Sequence, residues 1–273
     1  MSKYIVAVSG GIDSVSLLDM MSQLPDHELI VAHFDHGIRE DSASDAVFVE
    51  ELARSYGLPF EMRREELGPN ASEEKARARR YAFLRELADK HQAKIVTAHH
   101  ADDAVESIAI NLHRGTGWRG LAPLDSDIAR PLLEMSKADL AEYAKRRNLQ
   151  WREDSTNAQT KYLRNKIRQS LKDMSTYEKQ QILKLRQEQL KTKQLIQDEI
   201  ARLVGNGPRY SRYFFTHIPQ KVAIECLRFV TKAKLTRPQL QKALHAIKTA
   251  RPGVKHQLGA GLTLHFTSRN FWI

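Results

Sequence analysis

The stretch SGGIDS, residues 9–14, separates an apolar run from an amphipathic one and reads as a turn between a strand and a helix. Gly10 and Gly11 let backbone N–H groups approach an anion closely, and a helix N-terminus favours negative charge. Ser9 and Ser14 offer hydroxyls and Ile12 its backbone. Asp13 is a carboxylate able to hold Mg²⁺ against phosphate oxygens. No lysine follows the glycines, so this is not the G-x-x-x-x-G-K-[ST] loop that grips the β- and γ-phosphates. Gly-Gly before a helix is also ordinary turn chemistry. Farther along, Asp103 and Glu106 lie three apart, on one face of a helix. Such a pair can bind a cationic group, or simply suit the positive end of the helix dipole.

Other residues with chemistry to offer are histidines and arginines. His99 and His100, with His33, Asp35 and His36, are metal-type donors, but no H-E-x-x-H or comparable spacing joins them. A zinc or manganese hydrolase therefore lacks its motif. Arg77 and Arg80 lie three apart, and a fixed guanidinium suits a carboxylate or a phosphate. Arg79 and Arg85 read as ordinary surface arginines.

The elements that must position these groups follow from hydrophobic patterning. YIVAV (4–8), LIVAHF (29–34), PFEMR (59–63) and KIVTAH (94–99) read as strands. Between and after them, 13–23, 43–56, 72–91 and 102–113 carry apolar residues at helical spacing. Such alternation predicts βαβ units, hence an α/β fold with a Rossmann-like parallel sheet. Ligands bind such sheets at the carboxyl ends of the strands. Three runs end in the polar clusters SGGIDS, HFDHGIRE and HHADD, which are expected to meet in one crevice. A helix near 136–148 follows, with Ser136 as its cap. Residues 176–204, without Gly or Pro, read as one long helix. GNGPRYS (205–211) is a break, 219–250 reads mainly as helix, and 255–273 as a hairpin turning at GAG, 259–261.

Charge divides the chain. Residues 174–273 hold 18 Lys+Arg against 5 Asp+Glu, while residues 1–173 hold 25 against 28. A near-neutral body with a strongly basic second part suggests a catalytic domain with a polyanion-binding arm, although a solubilising surface has the same composition. The expected division is a catalytic domain over 1–173, a helical linker over 174–204 and a small basic α+β domain over 205–273. Cys226 is the single cysteine, so no intramolecular disulfide and no C-x-x-C pair forms. The first residues enter a strand directly, with neither a signal peptide nor a spanning-length apolar run, so a cytoplasmic location without membrane contact is expected.

Placed directly after an N-terminal strand, SGGIDS resembles the PP-loop of the N-type ATP pyrophosphatases. HFDHGIREDSASDAVFV (33–49), EEKARARRYAFL (73–84), TAHHADDAVES (97–107), RGTGWRGL (114–121), RPLLEMSK (130–137), EDSTN (153–157) and RNKIR (164–168) resemble, in order, blocks of the tRNA(Ile)-lysidine synthetases. Together they cover most of residues 4–168. The resemblance implies cleavage of ATP between its α- and β-phosphates, with Mg²⁺. It further implies adenylation at C2 of the wobble cytidine of a CAU-anticodon tRNA(Ile), and displacement of AMP by the amino group of free L-lysine.

On that reading, Ser9, Gly10, Gly11, Ile12, Asp13 and Ser14 hold the nucleotide, and Asp13 holds the Mg²⁺. Asp103 and Glu106 bind the lysine ammonium. His99 lies beside the nucleotide at a strand end, and Arg80, with Tyr81, Arg77 and Glu73, matches an E-x-x-x-R-x-x-R-Y pattern. Arg114, Arg164 and Arg168 are candidate contacts to RNA phosphate or to the lysine carboxylate. A homodimer is left open. Two departures stand out. Ser107 replaces the Thr of D-D-x-x-E-T and keeps its hydroxyl. The basic region after residue 204 is shorter than the two-part C-terminal region of many members. The rival readings are a PP-loop tRNA thiolase, which normally needs paired cysteines, and amidating GMP or NAD synthetases. A third is a non-catalytic nucleotide- or tRNA-binding protein, which would have no need of Asp13, Asp103 and Glu106.

Overall fold

The computed structural model describes residues 2–37, 42–68, 71–152, 163–205 and 207–273. EDSTN (153–157), residues 38–40 of the HFDHGIRE cluster and residue 41 after it lie outside the described residues, as does the side chain of Glu73. By internal contacts the chain forms two units, 1–189 and 190–273.

In the first unit, β1 (Ser2–Ala7), β2 (His27–Asp35), β3 (Phe60–Arg64) and β4 (Lys94–Val96) alternate with α1 (Ile12–Ser22), α2 (Ser42–Ser55) and α3 (Glu73–His91). α4 (Ala101–His113), α5 (Lys137–Arg146), α6 (Leu163–Ser170) and α7 (Thr176–Val204) follow, with α7 running on into the second unit. All strand pairings are parallel, in the order β3-β2-β1-β4. The Rossmann-like α/β expectation is thus met, and the order reverses between β1 and β4.

The apolar runs are nearly continuous because helices cover both faces of a parallel sheet. Consecutive residues divide between two cores. Val6, Val31 and Val96 pack on one side with Leu17, Leu18 and Leu140. Ile5, Ile30 and Ile95 pack on the other with Phe83, Leu84 and Leu87. Burying each such side chain contributes about 1.5–3 kcal/mol.

Caps fix the helix starts. Ser72 Oγ accepts from Lys75 N at 3.2 Å. Ser136 Oγ accepts from Asp139 N at 3.1 Å, while Asp139 Oδ2 accepts from Ser136 N at 2.8 Å. Asp19 on α1, buried, ties three helices together. It accepts from Tyr56 Oη at 2.7 Å, Tyr143 Oη at 2.6 Å and Arg147 Nε at 3.1 Å. The run KIVTAH keeps strand geometry only over Lys94–Val96. Beyond it the chain leaves the sheet to deliver His99 and His100 to α4.

The second unit comprises the end of α7, then α8 (Arg212–His217), α9 (Gln220–Val230) and α10 (Arg237–Thr249). Its antiparallel sheet runs β5-β8-β7-β6, built from β5 (Tyr210–Ser211), β6 (Lys255–Gly259), β7 (Leu262–Phe266) and β8 (Asn270–Trp272). The expected hairpin is extended by β8 as a third strand and, from farther back in the chain, by β5 as a fourth. The β6–β7 turn falls at GAG, where Gly259 has φ +97° and a Cβ would strike Gln239 Nε2. Residues 219–250 divide into two helices because Lys232 and Ala233 adopt positive φ and turn the chain.

Candidate active site

The carboxyl ends of β1, β2 and β4 carry the three polar clusters, and the reversal between β1 and β4 places a crevice there. After β1, Gly10 adopts φ +87°, a conformation open to glycine without strain. Gly11 caps α1 and lays no side chain over its first turn; the Ser14 and Val15 N–H groups donate to Gly11 O, and those of Ile12 and Asp13 remain available to an anion. Ser14 Oγ donates to Gly11 O at 2.9 Å and accepts from Ser9 N at 3.1 Å. Because the one Ser14 hydroxyl proton is thus placed, Ser9 Oγ is the donor in the 3.2 Å Ser9–Ser14 contact. Both hydroxyls hold the loop in shape, and Ile12 contributes backbone at the helix start.

Asp13, in the first turn of α1, is two-thirds covered, with one oxygen, Oδ1, buried and without a hydrogen-bond partner. Burial raises its pKa, opposed by His100, Lys137 and Arg168. An unpartnered carboxylate oxygen beside a phosphate cradle fits a Mg²⁺ held by one carboxylate and substrate phosphates. Among the described residues, no group of three or more His, Cys, Asp or Glu is placed to enclose a metal ion.

The opposite wall is the start of α4. His100 is its N-cap and donates its backbone N–H to Asp103 Oδ2 at 3.0 Å. The His100 imidazole is buried among three carboxylates. Its Nε2 lies 3.7 Å from Asp13 Oδ2 and 3.6 Å from Asp103 Oδ2, and its Nδ1 lies 3.7 Å from Asp102 Oδ2. Glu106, one turn on, is 7% exposed. Its Oε1 accepts from Arg168 Nε at 2.6 Å, while its Oε2 is buried without a partner. Burial raises the Glu106 pKa, and the Arg168 guanidinium opposes the rise. Arg168 also comes within 3.9 Å of Asp103 Oδ1. Arg164, one turn earlier on α6, also bears electrostatically on Glu106.

His99 hydrogen-bonds Thr97 Oγ1 through Nδ1 at 2.8 Å. Burial, with Arg77, Arg130 and Arg80 nearby, pushes its pKa down to about 4, so the imidazole is neutral at pH 7. Arg80 also acts on His36 at the end of β2, and its guanidinium lies 5.6 Å from the Tyr81 ring. The structure therefore gathers Asp13, His99, Asp103, Glu106, Arg80 and Arg168 about one crevice. It does not bring Arg114 there. That residue is the exposed C-cap of α4, about 20 Å along the helix from His100 at about 1.5 Å per residue.

Two residues at the site escape a sequence reading. His100 is visible only as one of several histidines, and its role as the bridge between walls depends on the β1–β4 pairing. Arg152 donates its backbone N–H to Gly10 O at 2.9 Å and lays its guanidinium 5.5 Å from the Phe48 ring. A cation thus stands beside a phosphate loop that carries no lysine. The only signal for it in sequence is its place just before EDSTN.

Comparison with known proteins agrees with this geometry. Residues 1–174 match the PP-loop domain family. The chain is 42% identical over 176 residues to a tRNA(Ile)-lysidine synthase of Solibacter usitatus, covering 62% of this chain and 40% of that protein. It is 32% identical over 272 residues to one from Thermotoga maritima, covering 90% of this chain and 65% of that protein. The chain thus spans less than two thirds of the length of these relatives. Among solved structures, the U34-tRNA thiolase NcsA of Methanococcus maripaludis, with its [4Fe-4S] cluster, is similar in fold. That match has a TM-score of 0.59 at 15% identity and covers 70% of this chain and 72% of that one.

Proposed function

Given that this chain belongs to the PP-loop domain family, we propose that it is an ATP-dependent tRNA(Ile)-lysidine synthase acting on the wobble cytidine of a CAU anticodon. One observation carries this reading: a single buried imidazole, His100, lies 3.7 Å from Asp13 and 3.6 Å from Asp103. A nucleotide on the glycine loop and a cation on the acidic pair would therefore face each other across one crevice, as two-step chemistry requires.

In the first step the oxygen on C2 of the cytidine attacks the α-phosphate of ATP, the bond from that phosphorus to the bridging oxygen of the β-phosphate breaks, and pyrophosphate leaves toward the Gly10–Gly11 loop. Bound Mg²⁺, held by Asp13, would neutralise phosphate charge. The N–H groups at the start of α1 face the departing anion. His99, neutral, lies beside the nucleotide without adding charge, and Arg80 offers its guanidinium to phosphate. In the second step the amine of L-lysine attacks C2 and AMP leaves. Asp103 and the free Oε2 of Glu106 hold the lysine ammonium. The attacking amine must lose a proton, and Glu106, its pKa raised by burial, is the carboxylate suited to take it. The basic second unit supplies attraction for the tRNA backbone, and a cytoplasmic location suits such a substrate.

The thiolase reading lacks its sulfur chemistry here. Cys226 is the single cysteine of the sequence. It is buried, and burial pushes its thiol up to about 11, so it is neither a cluster ligand nor a nucleophile. The deciding assay combines purified protein, ATP, labelled lysine and a CAU-anticodon tRNA. Labelled RNA with AMP and pyrophosphate is expected; ADP with inorganic phosphate would overturn the reading.

A further inference from the structure

The sheet of the second unit has two unlike faces. Leu258, Leu264, Phe266 and Phe271 enter a core with Phe215, Leu227, Leu240 and Ile247. Strand alternation sends their neighbours the other way, and the register sets Lys255 opposite His265 and His265 opposite Trp272. On that outward side the His265 and Trp272 rings stack at 5.3 Å with 10° between their planes. The exposed Arg209 places its guanidinium 5.2 Å from the Trp272 ring. A row of Arg209, Trp272, His265 and Lys255 thus crosses the sheet: two flat rings flanked by two cations.

Charge tells what such a row suits. Residues 205–273 hold 12 Lys+Arg and a single acidic residue, Glu225, whose carboxylate lies 3.8 Å from Arg228. No ion pair to Arg209 or Lys255 occurs among the described residues. Arg212, by contrast, donates to the carbonyls of Ile247, Thr267 and Ala250 at 2.8–3.0 Å and is spent on the fold. A cross-strand ring pair stabilises a sheet by itself, but that role asks for no cation at either end. Flat rings between cations, on a surface almost without carboxylates, match a base with flanking phosphates.

We propose that this open sheet face is a stacking platform for an unpaired nucleotide of the RNA substrate. The inference rests on the reading that the chain acts on tRNA, and gives its second unit a defined task. The base stacks on Trp272, taking the place of the Arg209 guanidinium, which swings to the adjoining phosphate. His265 backs the ring from the other side, and Lys255 meets the next phosphate.

The test uses the full chain with Trp118→Phe and Trp151→Phe, leaving Trp272 as the sole indole. A mixed-sequence single-stranded RNA octamer and a blunt duplex of the same sequence are titrated while its fluorescence is followed. The octamer is expected to quench Trp272, and the duplex to quench it far less. With binding read instead from the fluorescence polarisation of a dye-labelled octamer, Trp272→Leu should bind about ten- to a hundred-fold more weakly, and Trp272→Phe should recover most of the loss. Arg209→Gln, an exposed change that leaves the core untouched, should weaken binding and flatten its salt dependence. Octamer binding unaltered in both Trp272→Leu and Arg209→Gln, with lysine still incorporated into tRNA, overturns the platform alone. Failure of the parent chain to bind tRNA at low salt overturns the substrate reading and the platform with it.

Discussion

Arg168 and Glu106, 62 residues apart in sequence, are joined by a 2.6 Å hydrogen bond from Nε to Oε1 that pins α6 to the start of α4. The acidic pair expected to meet a substrate cation therefore already carries an internal one. Glu106 retains only Oε2, and Asp103 has committed Oδ2 to the His100 backbone. A cation bound there, as proposed, would complete a half-filled cluster instead of entering an empty one.

On the proposed function, neutralising the pair should separate the two chemical steps. Asp103→Asn with Glu106→Gln keeps shape and removes charge. Each charge-assisted contact is worth roughly 1.5–3 kcal/mol, or about ten- to a hundred-fold in lysine affinity. Adenylated tRNA should accumulate with little lysidine, and high lysine should rescue part of the loss. Equal loss of both steps would place these carboxylates at the nucleotide.

Arg168→Met leaves the Glu106 carboxyl buried without its guanidinium, so its pKa, already raised by burial, rises further. More of the protein then carries a neutral Glu106 near pH 7, and the lysine KM should increase while adenylation persists. Raising the pH ionises the carboxyl and should lower that KM more steeply in the variant than in the parent. A lysine KM that is the same in both at every pH would remove Arg168 from this role.

Asp13→Asn deletes the charge proposed to hold Mg²⁺ but keeps the side-chain volume. Release of pyrophosphate should fall by at least about a hundred-fold, and added Mg²⁺ should not restore it. Lysine binding, measured directly, should change little. Retained pyrophosphate release at parental Mg²⁺ dependence would show that Asp13 serves the loop and not the metal.

Asp19 gives a prediction about stability alone. Burial would raise its pKa, but hydrogen bonds from Arg147, Tyr143 and Tyr56 outweigh it and hold the carboxyl below its ordinary value. A depressed folded-state pKa means the stabilisation is present above the unfolded value, about 3.9, and is lost as pH falls through the folded one. Asp19→Ala should cost about 3 kcal/mol or more at pH 7, lowering Tm by about 10 °C. The difference should begin to shrink only below about pH 4 and should go on shrinking as pH falls through the still lower folded-state pKa, where the carboxyl of the parent becomes protonated. An unchanged thermal melt at pH 7 would show that the three donors find other partners.

The sequence alone determined the local elements, because period-2 and period-3.6 patterning act within ten or twenty residues. YIVAV, LIVAHF and PFEMR became strands, 176–204 one helix, GAG a turn, and Ser136 a cap. The glycine loop and the Asp103–Glu106 spacing were equally local, and so were readable. Partner choice was not. Arg164 and Arg168 were candidates for RNA phosphate or a lysine carboxylate, and only the packing of α6 on α4 directs Arg168 to Glu106. Arg114 shares a sequence block with the site helix, yet the length of α4 carries it to the far end. His100 became the bridge between Asp13 and Asp103 because β1 and β4 pair side by side across 90 residues of chain. Contacts of that kind depend on how whole elements stack, and no residue's own neighbours in sequence encode them.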